Sequence, residues 1–570
     1  MGTRAPAAAA ALDDFFARHY RRRPVDATFI GVHEYDDRLP DYSERGAGDA
    51  LAETVSLGRR LRDLPREPLD EAEALDLTLA EGALEIQRWE YESAHFHRGN
   101  PCVYTGEAVF GVMSLFLRPF GPASRRVEAA RARLAAIPTL LAQGRATVRR
   151  APPAWTARAA RECAGAGAFL KDGIDLLIQD PGVRAAADAA AAAFGEFQEY
   201  LDKELLVRPA GAYACDGEAL ERLLRRGHFL DTDAAGVLAL ARERLEVCEA
   251  ALDAIAAESG APGWRDVLAQ LADRHPPVER YYARYPELWE AARRAAEAPG
   301  LLTWPDYPIR YVPIPAWVRA AAPHLYFLAY RSPAPYDRAA EADYLVPPID
   351  PGMPAAEQAR LLRATNDSVI KLNHVIHHGG IGHHVQNWHA FRAASRIGQV
   401  AAVDCASRIA LFCGGTMAEG WACYATDLMD EIGFLSPLEH CAHVHARLRM
   451  AARALVDVNL HHGAMSLEEA AAFYRDRVGM APEAALAEAV KNSMFPGTAL
   501  MYLVGTDLIH RLRRELSARQ PGFDLRRFHD RFLSYGSVPV SLIGAAMRKE
   551  AAYARSGEAG RRHDQGEGDG

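Results

Sequence analysis

The chain has 570 residues, 49% of them hydrophobic and 25% charged, a balance that excludes a largely disordered or membrane-embedded protein. A formal charge of −9 at pH 7 argues against binding to nucleic acid or an anionic membrane, both of which need clustered Lys and Arg in excess. Small molecules and short peptides are left as partners, for a monomer or homodimer.

The opening run MGTRAPAAAAALDDFF is too short and too weakly apolar for a leader, and Asp13 and Asp14 follow at once, so the start of a helix is expected there. No stretch approaches the length and apolarity of a membrane span. Ala, Leu, Arg and Glu, with apolar residues returning every three or four positions, predict long amphipathic helices over 125–150, 183–206 and 233–258. Pro181-Gly182 and the GAPGW run at 260–264 suit helix ends.

Between Trp304 and Pro351 the texture changes to aromatic and β-branched residues among prolines (YPIRYVPIPAW, HLYFLAYRSPAPY). A few short strands are expected around 305–350, at sheet edges or in loops. Helices resume after Pro354, with one predicted over Ala355–Ile376. Residues 556–570 are glycine-rich, charged and without an apolar face, hence a disordered tail, and residues 1–555 read as a single mostly α domain. Eight cysteines stand without a C-x-x-C pair, which points to reduced thiols in a cytoplasmic protein rather than a disulfide framework or a Cys-rich zinc site.

Two stretches carry chemistry. KLNHVIHHGGIGHHVQNWH, residues 371–389, holds six histidines with glycines at 379, 380 and 382. On an unbroken helix His374 and His378 would share a face, as would His377 and His384, whereas His377 and His383 would not. The glycines cost roughly 1 kcal/mol each in a helix, so a bulge or break is expected that would let non-periodic pairs converge on one metal ion. In GGTMAEGWACYATDLMDEIG, residues 414–433, Glu419 is a carboxylate within an apolar helix and calls for a cation, a salt bridge or a capping role. His440, His443 and His445 lack further donors around them and read as helix surface.

Together these stretches resemble the bacterial metallopeptidase-like family labelled domain of unknown function 885, whose pattern is H-E-x-x-P-G-H-H-x-Q followed by E-G-W-A-x-Y. Here it stands as HHGGIGHHVQ (377–386) and EGWACY (419–424). Similarity continues through PVDATFIGVHEYDDRLPDYS (24–43), ARALVDVNLHHGAMSLEEA (452–470), FPGTALMYLVG (495–505) and FHDRFLSYGSVPVSLI (528–543), so it covers nearly the whole chain. The sequence departs at His378, where the family has its Glu base, at Ile381 for the proline and at Thr498 for a glutamine.

The resemblance implies a large, mostly α, metallopeptidase-like fold with a central cleft, and a metal held by His377, His383 and Glu419. Zinc is the first expectation, with iron, manganese or cobalt as alternatives. His378 would act as the base, join as another ligand, or leave the site inert. Tyr502 would assist catalysis by bonding a developing oxyanion or a substrate carbonyl. Arg449 and Arg453, one helical turn apart, would receive a substrate carboxylate, and His461 would line the substrate site. Asp457, His384 and Gln386 would support these groups from behind. The expected activity is metal-dependent hydrolysis of an amide or similar bond in a small peptide or amino-acid derivative. The alternatives are a non-hydrolytic metal enzyme (lyase, isomerase or oxidative) of a specialised biosynthetic pathway, and a non-catalytic binding protein.

Overall fold

The three long amphipathic segments fold as helices Ala123–Thr147, Pro181–Tyr200 and Ala234–Glu258, each burying its apolar stripe against a neighbouring helix. The computed structural model describes residues 6–64, 69–325, 328–406, 408–520 and 522–564. Within them the chain is mostly α, as expected, and the first helix is Pro6–Arg22. Pro181 occupies the first turn of its helix, where its missing N–H costs nothing, and Gly260 takes the left-handed φ of 67° just beyond Glu258.

Strands are confined to the proline-rich region. Ile309–Pro313 and Ala342–Val346 pair in parallel, Ile309 opposite Ala342 and Pro313 opposite Val346, and they form the only sheet among the described residues. Residues 326 and 327 of the second aromatic run lie outside those described. The last helix runs Val540–Asp564, so the expected tail begins inside a helix, and residues 565–570 also lie outside the description.

One helix differs from expectation. The run predicted over Ala355–Ile376 stops at Ala364, and a new helix starts at Asp367. Asn366 causes the break, since its side chain accepts from the backbone N–H of Ser368 and Val369 at 3.1 Å each.

Three helices frame the region that matters for function: Gly415–Glu431, Pro437–His461 and Met501–Arg519. The first and third touch backbone to backbone, because a Cβ on Gly420 would lie 2.6 Å from the Cα of Gly505. Among the described residues, no helix is long and apolar enough to cross a membrane.

Candidate metal centre

The histidine segment begins as a π-helix, Ile370–Gly379, a wider winding found mostly at functional sites. It ends at the glycines, as their helix cost predicts, and the chain reverses so that His383 opens the next helix, His383–Ala390. A Cβ on Gly382 would collide with the His377 carbonyl, so this close approach requires glycine. Two indoles hold the turn: Trp289 Nε1 donates to the Gly379 carbonyl at 2.6 Å and Trp421 Nε1 to that of Ile381 at 2.9 Å.

His377 and His383, which no single helix would bring together, meet across this turn with ring centroids 4.9 Å apart. Glu419 Oε2 lies 3.5 Å from His377 Nε2 and 3.4 Å from His383 Nε2. These separations are long for a charge-assisted N–H···O bond of about 2.7–2.9 Å, and the buried Oε2 accepts no hydrogen bond. They match the roughly 3.3–3.4 Å between neighbouring donors around a tetrahedral ion with bonds of about 2.0–2.1 Å. Two imidazoles and a carboxylate are zinc's donor class, so these residues fit a divalent ion.

The ligating atoms of His377, His378 and His383 fall within 4.8 Å of one another. His378 Nδ1 donates to the Asn373 carbonyl at 2.8 Å, five residues back, which leaves Nε2 carrying the lone pair. Burial would raise the Glu419 carboxyl, but the imidazoles of His377 and His383 hold it well below the usual range. Burial lowers His377 in spite of Glu419, whereas at His383 the Glu419 carboxylate overrides burial and raises the imidazole. Burial, reinforced by the neighbouring histidines, pushes His378 well below 6.5, so it stands neutral.

The cluster opens into a cavity of about 890 Å³ walled by the three framing helices and, among others, residues 404–406 and 408–411. Cys423 and Asp427 follow Glu419 at successive turns of one helix and line the same wall. Arg449, Arg453 and Tyr502 also reach it. Arg453 donates to Glu488 at 2.6 Å and lies over the Tyr502 ring, 4.8 Å from its centre. The buried Arg449 Nε has no hydrogen-bond partner, and Arg449 stands near the charge of Glu488 without a direct ion pair to it.

Other expected residues lie elsewhere. His461 is wholly buried, with Nε2 bonded to the Asn492 carbonyl at 3.0 Å, and it does not line the cavity, which corrects its reading as a substrate group. Asp457 lies 3.6 Å from His461 but takes N–H groups of Gly497 and Leu500 at 3.0 Å each, anchoring the 497–500 turn. His384 faces away from the cluster, stacked on Tyr307 and bonded to its carbonyl at 2.7 Å, so it supports the adjoining loop rather than a ligand. Gln386 lines the cavity and donates to Ser537 at 2.8 Å. His374 joins a tyrosine cluster through Tyr285, 3.2 Å away. Of the presumed surface histidines, His443 is instead buried, 2.9 Å from Asp427, which His510 also meets at 2.6 Å.

Among the cavity carboxylates missed in the sequence are Asp404, Asp26 and Glu107. Asp404 takes the Ser332 N–H at 2.9 Å, and its charge adds to that of Glu419 in raising His383. The available signal was the same for each, a lone acid among apolar neighbours (AAVDCA, PVDATF, TGEAVF).

Comparison with known proteins agrees with this architecture. Residues 24–547 match the family described as Bacterial protein of unknown function (DUF885). The chain belongs to this family. Among solved structures, this member of DUF885 is similar to a "putative lipoprotein of unknown function" from Shewanella oneidensis. The identity is 21% and the TM-score 0.76, over 95% of this chain and 99% of that one. It is also similar to a "putative lipoprotein" from Colwellia psychrerythraea, with 16% identity and a TM-score of 0.74 over 96% of this chain and 99% of that one. No curated protein matches.

Proposed function

We propose that this protein is a metal-dependent hydrolase, metallopeptidase-like, acting on an amide or similar polar bond in a small, carboxylate-bearing peptide or amino-acid derivative. The observation that carries the reading is the buried Glu419 Oε2, without a hydrogen bond and 3.4–3.5 Å from two imidazole nitrogens. His377, His383 and Glu419 would hold the ion, zinc by donor type. A divalent ion there supplies Lewis acidity, bringing the pKa of water to about 7 and polarising a carbonyl. His378 stands in the place of the family's Glu as the proton acceptor, neutral and with Nε2 bare. Arg449 would take the substrate carboxylate, with Arg453 held beside it by Glu488, and Tyr502 would donate to the substrate carbonyl. Eight free cysteines, seven of them buried, favour the cytoplasm.

A second reading has a specific observation behind it. The donor atoms of three histidines lie within 4.8 Å, and with His378 as a ligand the set becomes three imidazoles and a carboxylate, which suits iron or manganese and non-hydrolytic chemistry. Metal analysis together with a dipeptide and aminoacyl substrate panel decides between them. One equivalent of zinc with hydrolysis supports the first reading, iron with oxygen consumption the second, and no bound metal defeats both. Glu419→Gln is expected to lose at least nine-tenths of the bound metal. If His378→Glu creates peptidase activity that the native chain lacks, the hydrolytic reading is wrong.

A further inference from the structure

We propose that Asp26 and Glu107 form a subsite for the primary ammonium group of the ligand that occupies the cavity. Asp26 comes from helix Pro24–Ile30 and Glu107 from helix Cys102–Met113, and both line the same cavity as His383 and Glu419. Asp26 is 2% exposed and Glu107 8%, yet Asp26 Oδ2 and Glu107 Oε2 accept no hydrogen bond. Buried carboxylate oxygens without donors are costly, so a donor is missing here.

The surrounding charges say what kind of donor. Arg23 and Arg408 both pair with Glu90, Arg23 at 2.7 Å. Arg133 is committed to the carbonyls of Gly111, Pro24 and Arg38 and lies 4.0 Å from Asp36. Neither Asp26 nor Glu107 therefore makes an ion pair with a guanidinium of a described residue, and a singly charged N–H donor suits their unbonded oxygens. A metal ion suits the place poorly: among the described residues only the histidine cluster brings three ligating atoms together. An ammonium group carries the single charge, and its three diverging N–H donors can serve oxygens spaced more widely than an ion's ligands.

The subsite shares one cavity with the proposed metal donors. The Cys405 thiol lies against Asp26, and the preceding residue, Asp404, acts on His383. An amino-acid-derived ligand would thus place its free amino group at Asp26 and Glu107 with its reacting bond toward the histidines. This deepens the proposed function by naming a substrate class, one with a free amine, and in that respect rests on it.

The test is calorimetric titration of the full chain with L-leucinamide and with N-acetyl-L-leucinamide, with chelator and again with zinc. At least tenfold tighter binding of the free amine is expected in both conditions, and D26N/E107Q should abolish the difference while retaining the wild-type metal content. Wild-type protein that binds neither probe, or both equally, overturns the proposal, as does a double variant that still discriminates. Should the double variant fail to fold, Glu107→Gln alone is expected to cut the preference at least threefold, and an unchanged preference overturns the proposal. The metal reading fails separately, on metal content, because the chelated titration does not depend on it.

Discussion

Trp421 joins the two halves of the proposed metal centre. It sits two residues after Glu419, is fully buried against Phe532, and sends its indole N–H across to the Ile381 carbonyl within the histidine turn. Trp421→Phe keeps most of the packing and strands that carbonyl, which should cost about 2 kcal/mol in chemical denaturation. Because the same bond positions the turn ahead of His383, zinc affinity should fall roughly 10-fold to 100-fold, as measured by competition with a chromogenic chelator. At this scale the sequence was informative where residue types crowd together: six histidines around three glycines, and Glu419 before Trp421. It was uninformative where burial decides a role. His461 looked like a site residue until the Asn492 carbonyl claimed it, and Asp26 and Glu107 went unread because the neighbours that bury them lie far away in sequence.

Among the elements, the break after His378 was legible from the glycines, but the π winding before it was not. Nothing in IKLNHVIHHG separates five-residue from four-residue hydrogen bonding, and the choice depends on what packs against the segment. Gly382→Ala drives a methyl group into the His377 carbonyl and should open the turn. A loss of about 1–3 kcal/mol is expected on thermal unfolding, together with at least a tenfold weaker zinc complex. The Asn366 break, too, was written in a residue known for capping, hidden by the strong helical pattern on either side.

For the whole molecule, buried ionisable groups set the response to pH. His19, His228, His384, His461 and His529 are held by burial at about 3 to 4, so their neutral forms belong to the folded state. Their stabilisation is complete above the ordinary histidine value of about 6.5 and is lost as pH falls toward 4. Burial acts in the opposite sense on Asp26, Asp457 and Glu107, raised to about 6, 7 and 8. The folded state then holds protons that the unfolded chain has released, so stability drains as pH rises from about 4 through 8. Below pH 6.5 these histidines, with His97, His374 and His389 held by burial at about 4 in the same way, outnumber the three acids, so stability should fall on acidification. Above it the acids act together with His33, which burial would lower but Asp337 and Asp36 hold at about 9, and whose stabilisation is also lost as pH rises. Melting temperature should therefore peak near pH 6–7 and fall on both sides, which a scan from pH 4 to 9 checks.

Gly420, next to Glu419 on the cavity wall, meets Gly505 with no side chain between the two backbones. Neighbouring helices that touch this way have no slack to part or slide, so the floor next to Glu419 is hard. Room for a ligand to enter is then left to the other walls, among them residues 408–411 and the helix that bears Arg449. A chain stiff on one side and yielding on the other selects guests by their width at the reacting bond, and leaves their length to be accommodated farther out.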